Sequence, residues 1–77
     1  MKNLLEFLLI HLVDHPDEIV ISEEQDNFDN AVFRVNAHPD DMGQIIGRGG
    51  SRIRAIRKIV QMKATQLSQN FKIYLWD

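Results

Sequence analysis

Residues 47–50 read Gly-Arg-Gly-Gly, and no other stretch restricts the fold as strongly. Short apolar runs lie on both sides, Ile45 and Ile46 before it and Ile53 and Ile56, at helical spacing, after it. Inside a continuous helix each glycine costs about 1 kcal/mol relative to alanine. Three in four positions therefore predict two helices joined by a tight turn. Such a turn leaves backbone N–H groups bare where the second helix begins. The unpaired amides and positive dipole end of that helix attract anions. Arg48 at the tip and Arg52 one turn later add full charges. This chemistry suits a phosphate backbone.

The rest of the chain supplies elements on either side of this turn. Eight of the ten residues from Leu4 to Val13 are apolar, which predicts a helix over 1–13 with more apolar surface than one buried stripe requires. The surplus points to a second covered face, a dimer or partner contact, with one of Leu5 or Leu9 turned outward. The run is too short for a bilayer, which takes about 20 residues. Lys2 followed by apolar residues mimics a signal peptide, but no small-residue cleavage site follows. Pro16 ends the helix. His11 and His15, four apart and near Asp14, lack a third strong ligand, so no metal site is expected.

Ile19, Val20 and Ile21 mark a strand over 18–24, and Val32, Phe33 and Val35 a second over 31–37, the two forming an antiparallel hairpin. Glu23, Glu24, Asp26 and Asp29 sit toward the hairpin tip with no apolar pocket to raise a pKa, and read as solubility and edge protection. His38-Pro39-Asp40-Asp41 has proline and acids where a helix start favours them, predicting a short helix to Ile46. Residues 51–67 form the longest helix, with Ile53, Ile56, Ile59 or Val60, Ala64 and Leu67 toward the core. Phe71 to Trp76 alternates as a third strand, in which Tyr74 and Trp76 pack or form an interface more readily than they stack on bases.

Seventy-seven residues make one domain, 1–77, with a small core that further burial against a partner would help. The net charge of −2 excludes a chain that merely coats nucleic acid, but the charge is unevenly spread. Arg48, Arg52, Arg54, Arg57, Lys58 and Lys63 are six of the nine basic residues, and no acid lies between Gly47 and Lys63. Local sign steers a polyanion more than the total does. The absence of cysteine excludes disulfides and thiolate metal sites and fits a reducing cytoplasm. The turn lacks the Gly-Lys-Ser/Thr ending of a nucleotide-binding P-loop, and no nucleophile–base pair is visible, so no enzyme is expected.

The run Ile45-Ile46-Gly47-Arg48-Gly49-Gly50-Ser51-Arg52-Ile53-Arg54-Ala55-Ile56 resembles the KH signature V-I-G-x-x-G-x-x-I-x-x-I. The order α-β-β-α-α-β resembles the type II, bacterial KH fold, an α+β arrangement with a three-stranded mixed sheet and the helices on one face. Leu12 to Glu18 and Pro39 to Gly43 extend the resemblance to the KhpA (YlqC-like) family of small single-KH bacterial RNA-binding proteins. Arg48 stands where lysine is frequent in that family, and Gly49 is an additional glycine. The resemblance implies a cytoplasmic module that binds single-stranded RNA and associates with itself or with a larger KH-containing RNA-binding partner. It also implies an RNA chaperone or post-transcriptional regulator. On these residues the RNA site comprises Ile45, Ile46, Gly47, Arg48, Gly49, Gly50, Ser51, Arg52, Ile53 and Arg54. The amides and arginines would hold phosphates, the isoleucines would seat unstacked bases, and about four nucleotides would be engaged in all. The rival expectation is a protein-interaction scaffold with a vestigial groove.

Overall fold

The computed structural model describes residues 1–76; Asp77 and the side chain of Trp76, and with it the expectation for that ring, lie outside the described residues. The elements run α1 (Lys2–Ile10), β1 (Val20–Gln25), β2 (Ala31–Asn36), α2 (Pro39–Ile46), α3 (Ser51–Gln66) and β3 (Phe71–Trp76). Single 3₁₀ turns, Pro16–Glu18 and Arg48–Gly50, precede β1 and α3. This is the expected α-β-β-α-α-β order.

The sheet order is β1-β2-β3. β1 pairs antiparallel with β2, Ile21 opposite Val35, and β2 pairs parallel with β3, Phe33 opposite Ile73. A parallel neighbour requires a long crossover, and α2, the glycine turn and α3 provide it. The turn is thereby held at the top of a crossover that packs on one face of the sheet. Alternation along the strands sends Ile21, Ala31, Phe33, Val35 and Ile73 into the core. There they meet Leu5 and Leu9 of α1, Met42 and Ile45 of α2, and Ile53, Ile56 and Val60 of α3. On the opposite face Arg34 pairs with Glu24 at 2.7 Å and lies 5.8 Å from the ring centre of Tyr74.

Three expectations are corrected, and one open alternative on α3 is decided. The first helix ends at Ile10, and His11 and Leu12 already turn away while Leu12 and Val13 still pack against the core. Leu5 and Leu9 are both fully buried, and the outward apolar side chains of α1 are Phe7 and Ile10. Val60, and not Ile59, fills the core position on α3. Leu67 lies one residue past the last turn of α3 and is 50% exposed, because the apolar stripe continues where the helix does not.

Asp41 fastens the start of α2. It is 1% exposed, and its carboxylate accepts hydrogen bonds from the backbone N–H of Asp14 at 3.2 Å and of His15 at 3.0 Å, and from the His15 ring at 3.1 Å. Burial pushes its pKa up, but these donors outweigh burial and hold the carboxyl below its ordinary range. His15 responds in kind, its pKa raised chiefly by the Asp41 hydrogen bond. The acid does more than complement a helix dipole. It joins the α1–β1 connection to the helix that carries the glycine turn.

Candidate functional site

All three glycines of the turn adopt positive φ: Gly47 at 74°, Gly49 at 61° and Gly50 at 79°. Gly47 has the strictest requirement. A Cβ there would lie 2.8 Å from the backbone nitrogen and Cγ of Arg52. The first residue of the turn is thus pressed beneath the arginine that follows it. At Gly49, by contrast, a Cβ would meet nothing within 4 Å. That position faces solvent.

Hydrogen bonding determines which amides remain for a ligand. The N–H of Gly47 donates to the Gly43 carbonyl at 2.9 Å and closes α2. The Gly50 N–H donates to the Gly47 carbonyl at 3.1 Å, and the Ser51 N–H to that of Arg48. Arg48 and Gly49 open the 3₁₀ turn, where the first N–H groups have no acceptor within the turn. The bare donors are therefore two residues at the tip, backed by the N-terminal dipole of a sixteen-residue helix.

The three arginines near the turn are not equivalent. Arg52 donates from Nη1 to the Gln44 carbonyl at 2.9 Å, at the C-terminal end of α2. Arg54 donates from Nη1 to the Gly49 carbonyl at 2.7 Å, bracing the turn from the α3 side. The Arg48 side chain makes no hydrogen bond or ion pair among the described residues and is exposed. One arginine at the tip is thus unengaged, while two hold the turn in shape with part of their donor capacity.

The apolar residues sort similarly. Ile45 is fully buried and Ile53 nearly so, forming the floor beneath the turn, while Ile46 is 39% exposed beside it. Ser51 is exposed at the start of α3. Further along α3 a groove of about 510 Å³ runs between that helix and β3, lined by Arg57, Lys58, Gln61, Lys72 and Tyr74 among others, with no acid. Arg57 donates to the Ile73 carbonyl at 3.4 Å. Sequence reading did not place Gln61 or Lys72 at the site. Only the parallel β2–β3 pairing brings Lys72 beside α3, and no spacing in the chain signals it.

A β-α-α-β crossover preceded by a helix and a strand, with a glycine turn between its helices, defines a KH domain of type II. The family model described as "KhpA/KhpB, KH domain" matches residues 2–75. The chain belongs to that family. It is 36% identical over 77 residues to the RNA-binding protein KhpA of Halalkalibacterium halodurans, covering 100% of both chains. It is 40% identical over 75 residues to the KhpA of Oceanobacillus iheyensis, covering 97% of this chain and 96% of the relative. Against the KhpA of Bacillus subtilis the identity is 38% over 78 residues, covering 95% of this chain and 94% of the relative. No solved structure matches the chain.

Proposed function

We propose that this protein binds single-stranded RNA through the Gly47–Gly50 turn, as one domain spanning residues 1–77, and is a binding module and not an enzyme. The observation that carries the reading is the pair of N–H groups at Arg48 and Gly49 that open the 3₁₀ turn, next to the exposed Arg48 side chain at the mouth of α3. These groups would grip phosphates. Arg52, Arg54, Gly47 and Gly50 would hold the turn open for them, and the spare N–H groups of the two arginines would reach adjacent phosphates. Ile46, over a floor of Ile45 and Ile53, would seat an unstacked base beside Ser51. The strand would then follow the acid-free groove toward Lys58 and Lys72. The RNA-binding names of the relatives support the same class of ligand. About four nucleotides per domain implies micromolar affinity, so pairing with a second copy or a larger KH-containing partner would strengthen binding through avidity. A cytoplasmic RNA chaperone or post-transcriptional regulator is the role this suits. No helix among the described residues is long and apolar enough to cross a membrane.

Fluorescence anisotropy with labelled single-stranded RNA tests the reading. The double substitution Arg48→Asp, Gly49→Asp should abolish binding with thermal stability retained, because Gly49 faces open space in a left-handed geometry that aspartate tolerates. Wild-type affinity should fall with salt at a slope of roughly −2 to −3, from about −0.7 for each of three or four phosphates. Unchanged affinity in the double variant would remove the turn from the mechanism.

A second reading, an interaction scaffold, rests on the apolar hollow of about 290 Å³ between α1 and α3, lined by Phe7, Leu8, Leu12, Ala55, Ile56 and Ile59 among others. Phe7→Asp followed by light scattering separates the two. Loss of self-association with RNA affinity retained at the level of one domain would assign the hollow to assembly and the turn to RNA.

A further inference from the structure

Three residues that the RNA reading does not use converge at the opposite end of α2 from the glycine turn. His15 stands immediately before the 3₁₀ turn Pro16–Glu18, and the Glu18 N–H donates to the His15 carbonyl at 3.0 Å. In a 3₁₀ turn residues three apart eclipse one another, so His15 and Glu18 project to the same side. His38 arrives from the other connection, as the N-cap of α2. Its Nε2 lies 4.0 Å from a Glu18 carboxylate oxygen, and its ring stacks on that of His15 with centroids 4.1 Å apart. The ligand atoms offered by His15, Glu18 and His38 all lie within 4.8 Å of one another.

The surroundings of the His15 imidazole orient it as a metal-binding histidine is oriented. Asp41 is an acceptor facing Nδ1 of His15 at 3.1 Å, so the proton sits on Nδ1 and the lone pair on Nε2. The backbone N–H of His15 is bonded to the same carboxylate, which fixes where that ring stands. A buried carboxylate behind a histidine is the usual support for a ligating imidazole. His38 differs, since its Nδ1 accepts from the Asp40 N–H at 3.1 Å, but the exposed Asp40 carboxylate lies near, with Oδ2 3.7 Å from that nitrogen.

We infer that His15, Glu18 and His38 bind one divalent transition-metal ion of the zinc type. Two imidazoles and a carboxylate form an N/O donor set suited to zinc, cobalt, nickel or copper, whereas magnesium and calcium require oxygen ligands. Donors at about 2.0–2.2 Å from a tetrahedral ion sit roughly 3.3–3.5 Å apart, so the cluster must close slightly. The near-parallel rings, 14° apart, cannot aim both lone pairs at one point. Binding therefore turns the His38 ring about its Cβ–Cγ bond. Its Nδ1 then gives up the hydrogen bond it accepts from the Asp40 N–H at 3.1 Å and donates to the Asp40 carboxylate. Water completes the coordination. The ion would tie the α1–β1 connection to the start of α2, parallel to the Asp41 link. An unfolded chain cannot assemble the three ligands, so binding stabilises the folded state.

The test is titration of chelator-treated protein with zinc chloride, by calorimetry and by thermal melting. His38→Asn keeps an N-cap acceptor and therefore the helix start. Glu18→Gln keeps the size of the side chain. The expected result is one zinc per chain at micromolar or tighter affinity and a raised melting temperature. Affinity should fall at least tenfold in each variant, and cobalt should give a visible spectrum of N/O coordination. Zinc affinity unchanged in His38→Asn, loss only in His11→Asn, or an equal melting shift with magnesium chloride would overturn the site. So would millimolar binding insensitive to both variants, which marks an adventitious ion only. RNA affinity does not enter the test.

Discussion

Replacing Gly47 by alanine probes the glycine turn most sharply. Gly47 has φ 74° and ψ 172°, a region essentially confined to glycine. Holding another residue there costs about 1–3 kcal/mol. The new Cβ would lie 2.8 Å from the Arg52 backbone nitrogen, and no side-chain rotation relieves a contact with main chain. Overpacking of that kind adds about 1–3 kcal/mol. The combined loss of about 2–6 kcal/mol is a large part of the stability of a domain this small, about 4–12 kcal/mol at 0.05–0.15 kcal/mol per residue. At about 4–8 °C per kcal/mol, the melting temperature should fall by about 10 °C or more. Gly49→Ala is the control. Its φ of 61° is also positive, but nothing lies within 4 Å of the added carbon. A left-handed alanine costs about 1–2 kcal/mol, partly offset by about 0.4–1 kcal/mol from a stiffer unfolded chain. Urea denaturation of both variants gives the comparison. Equal stabilities, within about 0.5 kcal/mol, would refute the geometry assigned to Gly47.

Two further predictions concern charge. Arg48→Gln should weaken RNA binding and make the salt slope shallower by about 0.7, one phosphate contact. Arg54→Met should weaken binding with less change of slope and faster amide exchange at Gly49, because it removes a brace on the Gly49 carbonyl; identical slope changes in the two would contradict that division of roles. In the hairpin, the Asp26 carboxyl is held below its ordinary value, first by the Asn30 side chain and then by the Asn30 and Phe28 backbone N–H groups, with Lys72 nearby. A depressed folded pKa gives stability that is present above the unfolded value and lost as pH falls through the folded one. Wild type should therefore lose more stability than Asp26→Asn on acidification below about pH 4, read from urea midpoints; parallel pH profiles would contradict the assignment.

What could be read from the chain depended on how local the controlling physics was. Pro39 and Gly47 punctuate α2, and its bounds match the expectation at both ends. The apolar run of α1 carries no such stop before Pro16, so the helix end at Ile10 was not legible. Ile59 and Val60 are both apolar and adjacent, and only the position of the sheet selects Val60 for the core. Ile45 and Ile46 divide in the same way. The arginine cluster was evident from charge alone. The engagement of Arg52 with Gln44 and of Arg54 with Gly49 depends on three positive-φ glycines within four residues, a geometry that no residue spacing encodes. The meeting of His15 with His38 was likewise invisible, although both open His-Pro-Asp segments. It follows from the antiparallel hairpin, which returns the chain beside its own starting point.

An amide-resolved NMR titration with a short single-stranded RNA addresses the phosphate-cradle claim most directly. The account predicts the largest shifts at the backbone N–H groups of Arg48 and Gly49, with smaller ones through Ser51 and Arg52 and along the α3–β3 groove. Shifts confined to α1 or to the open face of the sheet, with Arg48 and Gly49 unmoved at saturation, would contradict it.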